Sequence, residues 1–275
     1  LKAVITISDL HIGSTTGLCP PSVNVTDGGG YTPNPFQVTL YQYWRHFWSQ
    51  AVPALTRGAS KIVLVINGDA LDGVHHHTVN ILSNSWAVQE QAAIETLQEI
   101  PDLCPVKIDE IYCVKGTEVH VGPNGESEER VARAIGAVPN ELGEHAAYQW
   151  WLNVDQVPFQ FAHHIGVTSS AAYESSAPMR ELVAALVEAA QWGQTMPRVV
   201  VRSHRHRFIP VAIPSARGRI QCVITPAWQL RTPFVERIDR MRMPHIGGVV
   251  FRVDGERCDT WEKIYQLPGP KPTQI

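Results

Sequence analysis

Cysteine is scarce in this chain and carries no pairing pattern. The five residues Cys19, Cys104, Cys113, Cys222 and Cys258 include no C-x-x-C pair, which excludes a thiolate zinc site of that kind and a dense disulfide framework. They read as small buried apolar residues of a reducing compartment, and the expected location is cytoplasmic. No apolar run approaches the roughly 20 residues that cross a bilayer, so no membrane partner is expected. The opening residues LKAVITIS lack the pattern of a cleavable signal. Charge of one sign is not in excess either. A net charge of −3 over 275 residues argues against a broad electrostatic nucleic-acid surface. Nucleic acid is therefore not the favoured partner, although a local basic groove fits within that total. Gly28-Gly29-Gly30 is followed by neither Lys-Ser/Thr nor a helix start, which excludes a P-loop. There is no Ser or Cys nucleophile motif, no internal repeat and no linker that splits the chain.

The rest is ordinary globular material, 44% hydrophobic and 18% charged, and long enough to bury a full core. It reads as a single domain over 1–275. Residues 13–35, rich in Gly, Pro, Ser and Thr, form an expected surface-loop insertion, of a length sometimes used as a lid. Short β-branched runs predict strands at 3–7, 61–66, 111–114, 157–162, 198–201, 220–224, 248–253 and 260–266. Helical spacing predicts helices at 36–55, 86–100, 126–135 and 178–192, the last with Pro178 near its start and Gly193 as its stop. Strands alternating with helices imply an α/β fold, and the strand-rich C-terminal part suggests a second, partly antiparallel sheet. The aromatic helix with Tyr41, Tyr43, Trp44, Phe47 and Trp48 reads as core or as a dimer face; the oligomeric state stays open.

Each of the first five strands is followed by acidic or imidazole side chains. These are Asp9 and His11; Asp69 and Asp72; Thr117, Glu118 and His120; His163 and His164; and His204 and His206. Ligands of open α/β sheets sit beyond the carboxyl ends of the strands. Residues i and i+2 of an extended segment point the same way, so Asp9 with His11, and His204 with His206, are expected to converge, with Arg205 pointing away. Mixed imidazole and carboxylate donors suit Mn, Zn or Fe.

In this order the motifs resemble those of the calcineurin-like metallophosphoesterases. They stand here as Asp9-Leu10-His11, Gly68-Asp69-Ala70-Leu71-Asp72, Gly116-Thr117-Glu118, His163 or His164, and Ser203-His204-Arg205-His206. The resemblance spans Asp9 to His206. It implies a four-layer α/β sandwich with two mixed β-sheets and a binuclear centre of two divalent ions at the sheet ends. Asp9, His11 and His206 would hold one ion, His163 and His204 the other, and Asp69 would bridge. Asp72 and His164 would support the ligands or face substrate. The third motif departs from the family's Gly-Asn-His. Thr117, Glu118 or His120 would complete the second metal site, and His120 is the expected catalytic acid. Phage and prophage members carry a similar Gly-Thr-x-x-His form. The implied activity is metal-dependent hydrolysis of a small phosphate ester, leaning to a phosphodiester, with a metal-bridging hydroxide as nucleophile. Phosphomonoesterase, nuclease and non-catalytic metal-binding scaffold are the alternatives. His75, His76 and Arg205 are candidate substrate contacts, and Arg202 and Arg207 are further candidates to reach a phosphate.

Overall fold

A computed structural model describes the chain except residues 26–27, 76–77, 167–169, 217, 239–241, 268–271 and 275. In chain order the elements begin with β1 (Lys2–Ile7), the short hairpin β2 (Val23–Asn24) and β3 (Gly30–Tyr31), α1 (Pro35–His46), α2 (Val52–Leu55) and β4 (Lys61–Asn67). Next come α3 (Trp86–Gln98), α4 (Ile100–Leu103), β5 (Glu110–Val114), α5 (Glu118–Val121), α6 (Glu126–Ala134), β6 (Ala146–Ala147), β7 (Gln149–Val154) and β8 (Val157–Ala162). The chain continues through α7 (Ser176–Trp192), β9 (Val199–Arg202), β10 (Ile209–Ser215), β11 (Gly218–Ile224), α8 (Pro233–Ile238), β12 (Ile246–Asp254) and β13 (Arg257–Tyr265).

Two mixed sheets result. One runs β13-β12-β1-β4-β5-β6, and the other β10-β11-β9-β8-β7. The sequence β1-β4-β5-β6 is parallel, as is β11-β9-β8. The second sheet is partly antiparallel, as expected, but it is built from 149–224. The last two strands instead return antiparallel to the first sheet beside β1.

Side-chain alternation along β1 assigns the layers. Val4 turns to the inter-sheet core with Val63, Val65, Phe159, Phe161, Val201 and Phe251. Ala3, Ile5 and Ile7 turn to the opposite face, against Leu40, Trp44, Phe47 and Trp48 of the first helix and residues of α3 and α6. The outer face of the second sheet meets α7 through Leu182, Val200 and Cys222. The order is therefore helices, sheet, sheet, helix: the four-layer sandwich. Strands covered on both faces read as unbroken apolar runs, which made β1, β4 and β9 conspicuous.

The aromatic helix is core. Trp44, Phe47 and Trp48 are fully buried, with Trp44 edge-to-face on Trp228 at 5.0 Å between centroids, so their faces are not available as a dimer surface. A π-turn over Phe47–Ala51 joins α1 to α2, one turn ahead of Pro53, which has no N–H to donate. The loop expected over 13–35 is only partly superficial: Leu18, Cys19 and Val23 are buried in the main core. All five cysteines are free thiols, four of them buried. Among the described residues no helix is long and apolar enough to cross a membrane.

Candidate metal centre

The carboxyl ends of β1, β4, β5, β8 and β9 meet at one edge of the sandwich. Directly beyond three of these strands the backbone turns left-handed. Asp9 (φ 51°), His11 (φ 46°), Asp69 (φ 54°), His204 (φ 71°) and His206 (φ 51°) all have positive φ. L-residues disfavour this region, and side chains held there signal a site that over-determines them. The convergence of Asp9 with His11 and of His204 with His206 therefore comes from consecutive tight turns, not from the extended alternation expected. The turns are laced together: Asp9 N–H donates to Gly68 O (3.0 Å), His11 N–H to Asp69 O (3.1 Å) and Asp72 N–H to Ile12 O (3.0 Å). Gly116 is required by proximity, since a Cβ there would lie 2.2 Å from Asp69 Oδ1.

Among the described residues, Asp9, His11 and His206 form one group of candidate ligand atoms and Asp69, His163 and His204 a second, while His120 joins two more, one with His11 and Asp69 and one with Asp72 and His75. In the first, His206 Nε2 lies 3.3 Å from Asp9 Oδ1 and 3.2 Å from His11 Nε2. In the second, His163 Nε2 lies 3.0 Å from Asp69 Oδ2. The same Asp69 oxygen is 4.0 Å from His11 Nε2. Metal bonds of roughly 2.0–2.2 Å to N and O donors place neighbouring donor atoms roughly 3–4 Å apart, so the spacings suit divalent ions. The donor chemistry agrees. His11 Nδ1 faces Asp72 Oδ1 at 3.0 Å and His163 Nδ1 faces the Asn67 carbonyl at 2.8 Å. Each ring thus spends Nδ1–H on a supporting oxygen and aims Nε2 inward, the usual arrangement behind a metal-binding imidazole.

Charge in the metal-free chain follows from this crowding. Burial raises the Asp9 carboxyl, but the hydrogen bond and charge of His206 overcome it and bring the pKa down to about 2. Asp69 is likewise held well below the usual carboxylate range, against burial, chiefly by His163. Burial pushes His163 down, but Asp69 and Asp9 outweigh it and raise it to about 10. Burial and the positive His163 push His204 down to about 4.

Thr117 closes the second group. Its N–H donates to Asp69 Oδ1 (2.6 Å), and its hydroxyl lies 3.1 Å from Asp69 Oδ2, 3.2 Å from His204 Nδ1 and 3.4 Å from His163 Nε2. Glu118, the expected alternative, is not brought in. It is exposed at the first position of α5 and belongs to none of the ligand groups among the described residues. The chain turns into α5 after Thr117, so the threonine faces inward and the glutamate faces water. Asp72 accepts from His11 and from Gln229 Nε2 (3.3 Å), and His75 Nε2 lies 3.5 Å from Asp72 Oδ2. His120 Nδ1 donates to the Asp72 carbonyl at 2.6 Å, and its ring stands edge-on to His11 at 4.6 Å. Burial, then the neighbouring His11, lowers His120 to about 4.

His164 is exposed at the rim, 5.1 Å between ring centroids from His204. Arg205 donates to Gly166 O at 3.1 Å and lines a cavity beside His204 and His206, as does Arg207. Arg202 is turned away, bonded to Glu181 (3.0 Å) and Gln160 (2.7 Å), so it does not reach a substrate phosphate. His76 lies outside the described residues. Sequence reasoning missed three supports. Glu128 of α6 is buried and accepts from Ala70 N–H (3.0 Å) and Gly116 N–H (2.6 Å), clamping the turns of Asp69 and Thr117. Burial and the Asp69 charge raise it to about 7. Gln229 gave no sequence signal, and neither did Thr225, whose hydroxyl lies 2.7 Å from both Ser8 and Ser203.

No protein-family model and no curated protein matches this chain. Similar solved structures include Vps29 of Entamoeba histolytica, complexed with zinc, at 9% identity and TM-score 0.41, covering 94% of this chain and 98% of that one. A metallophosphoesterase of Sphaerobacter thermophilus is similar at 12% identity and TM-score 0.38, covering 96% of this chain and 89% of that one. Likeness this distant carries no function across. The four layers and the ordered motifs resemble the calcineurin-like metallophosphoesterases. What the centre does is read from its own geometry below.

Proposed function

We propose that the chain is a metal-dependent phosphoesterase with a two-ion centre, acting on phosphodiesters. One observation carries the reading: the Asp69 carboxylate groups with His163 and His204 on one side and with His11 on the other, and His11 groups in turn with Asp9 and His206. Asp9, His11 and His206 would hold one ion. His163, His204 and the Thr117 hydroxyl would hold the other, and Asp69 would serve both. Two such ions supply Lewis acidity to the phosphoryl group and a water acidified toward neutrality. The chain's own residues do the rest. Asp72 fixes the His11 ring, and the Asn67 carbonyl fixes the His163 ring. His120 is neutral in the free chain, its one proton on Nδ1. To protonate the leaving oxygen it must gain a proton on Nε2, a gain favoured by an anionic substrate beside it. A threonine hydroxyl is a weaker donor than an amide oxygen, and this supports the diester preference, since a diester carries less charge than a monoester.

The test is hydrolysis of bis(p-nitrophenyl) phosphate by metal-stripped protein, with and without Mn²⁺, beside Asp69→Asn and a phosphomonoester comparison. Turnover restored by metal and absent in Asp69→Asn is the expected result. Stoichiometric metal binding without turnover of either ester would leave a metal-holding scaffold in its place.

A further inference from the structure

His245 belongs to none of the ligand groups among the described residues, yet it is bonded to the chain on either side of one ligand. It stands directly before β12. Its N–H donates to His206 O at 2.8 Å, and its carbonyl accepts from Ala227 N–H at 2.8 Å. Its ring Nδ1 accepts from Phe208 N–H at 3.0 Å. A backbone N–H can only donate, so Nδ1 carries the lone pair and the ring acts here as an acceptor. The stretch that begins at Ala227 goes on to a second ligand, since Trp228 N–H donates to Asp9 O at 2.9 Å. His245 therefore joins the turn of His206 to the segment that holds Asp9. His206 needs such support. Its φ of 51° is one that L-residues keep only where their surroundings over-determine it. The two bonds from His245 bracket that residue, one at its carbonyl and one at the N–H two positions on. Arg207 adds a link between the same segments, donating from Nη1 to Met243 O at 2.8 Å. His204 of the second group is held by other means. Its N–H donates to Asp9 Oδ1 at 3.2 Å, and the preceding Ser203 N–H donates to His163 O at 2.8 Å.

We propose that His245 is a positioning residue for the first ion: by accepting from Phe208 N–H, its ring fixes the turn that aims His206 inward, without touching an ion. This rests on the two-ion reading. It adds a device that sets the affinity of one ion apart from that of the other.

The test is calorimetric titration of metal-stripped protein with Mn²⁺, in the unaltered chain, His245→Leu and His245→Asn. The two variants are alike in shape. The asparagine amide oxygen sits one bond beyond Cγ, as Nδ1 does, and can accept the same N–H. His245→Leu is expected to weaken one ion about tenfold or more and the other by less than about threefold, and His245→Asn to bring the weakened ion back to within about threefold of the unaltered protein. Added to His206→Asn, which disables the first group, His245→Leu is expected to leave the remaining ion unchanged. Equal loss at both ions overturns the proposal, as do no loss in His245→Leu, a loss that asparagine does not repair, and a further loss beside His206→Asn. A metal-free His245→Leu chain that no longer folds overturns it too, since the ring then supports the fold and not one ion. Hydrolysis of bis(p-nitrophenyl) phosphate in the same preparations separates the two ideas. Two ions bound without turnover defeat the phosphoesterase reading, while the affinities still decide the role of His245. No Mn²⁺ bound by the unaltered protein overturns both.

Discussion

His163 holds a proton where the second group would hold an ion. With its pKa raised to about 10, the ring is an imidazolium at neutral pH, donating from Nδ1 to Asn67 O and from Nε2 toward Asp69. In the metal-free chain this raised pKa stabilises the fold fully below the ordinary value of 6.5, and the contribution is lost as pH rises toward 10. Metal must displace that proton. Mn²⁺ affinity is therefore expected to rise on the order of tenfold per pH unit between pH 7 and 9, one proton being released per ion at the second group. Titration in two buffers of different ionisation enthalpy counts that proton, and a pH-independent affinity would contradict the assignment. His120 is tested by leaving group. His120→Gln is expected to lower kcat by about 10²- to 10⁴-fold on alkyl phosphodiesters, and much less on p-nitrophenyl esters, whose leaving anion needs no proton. An equal loss on both would make His120 a metal-holding or structural residue.

Beneath the ligands, single hydroxyls join elements that are distant in sequence. Ser8 at the end of β1 donates to Asp9 Oδ2 (2.6 Å) and meets Thr225 (2.7 Å). Thr225, just after β11, meets Ser203 (2.7 Å), which accepts from Asn67 at the end of β4 (2.6 Å). This chain of bonds ties the two sheets together under the centre, and Ser203 and Thr225 are fully buried. It also gives Ser203 a local purpose. Thr225→Val leaves two buried hydroxyls short of a partner and is expected to cost about 1–3 kcal/mol of stability, measured by urea unfolding. A cost near zero would mean water takes the place of the hydroxyl. What was legible at this scale follows burial. β1, β4, β8 and β9 announce themselves because their apolar runs are dense, and the ligands are legible because each follows one of those runs. β10 escaped notice because Pro210 and Pro214 break the strand pattern, which an edge strand tolerates. β7, the opposite edge, is half exposed, and its apolar residues are interrupted by Gln149 and Asn153 and include only one β-branched residue, Val154. Glu128 and Thr225 are invisible for another reason. A buried carboxylate on an acidic helix and a threonine after a strand look like surface and turn until the partners 58 and 217 positions away are known.

At the scale of the whole molecule the centre is a seam. Asp9, His11, Asp69 and Thr117 come from the first sheet and His163, His204 and His206 from the second, so ions bound there would hold the two halves of the sandwich. The metal-free fold must instead keep three acidic side chains, Asp9, Asp69 and Asp72, buried side by side, offset only by the imidazoles around them. Metal should therefore act on global stability, not only on activity. Free Mn²⁺ at a hundred times its dissociation constant stabilises by about 2.7 kcal/mol per site. For a chain of this size that corresponds to a rise in Tm of roughly 5 °C per site. Calorimetric scans with Mn²⁺ and with chelator are expected to differ by at least that amount. Asp69→Asn, which weakens both groups at once, is expected to remove most of the difference, whereas His206→Asn should remove only the part due to the first group. If the metal-loaded and chelated proteins melt together, the ions do not bridge the sheets, and the ligands meet at this seam for some other reason.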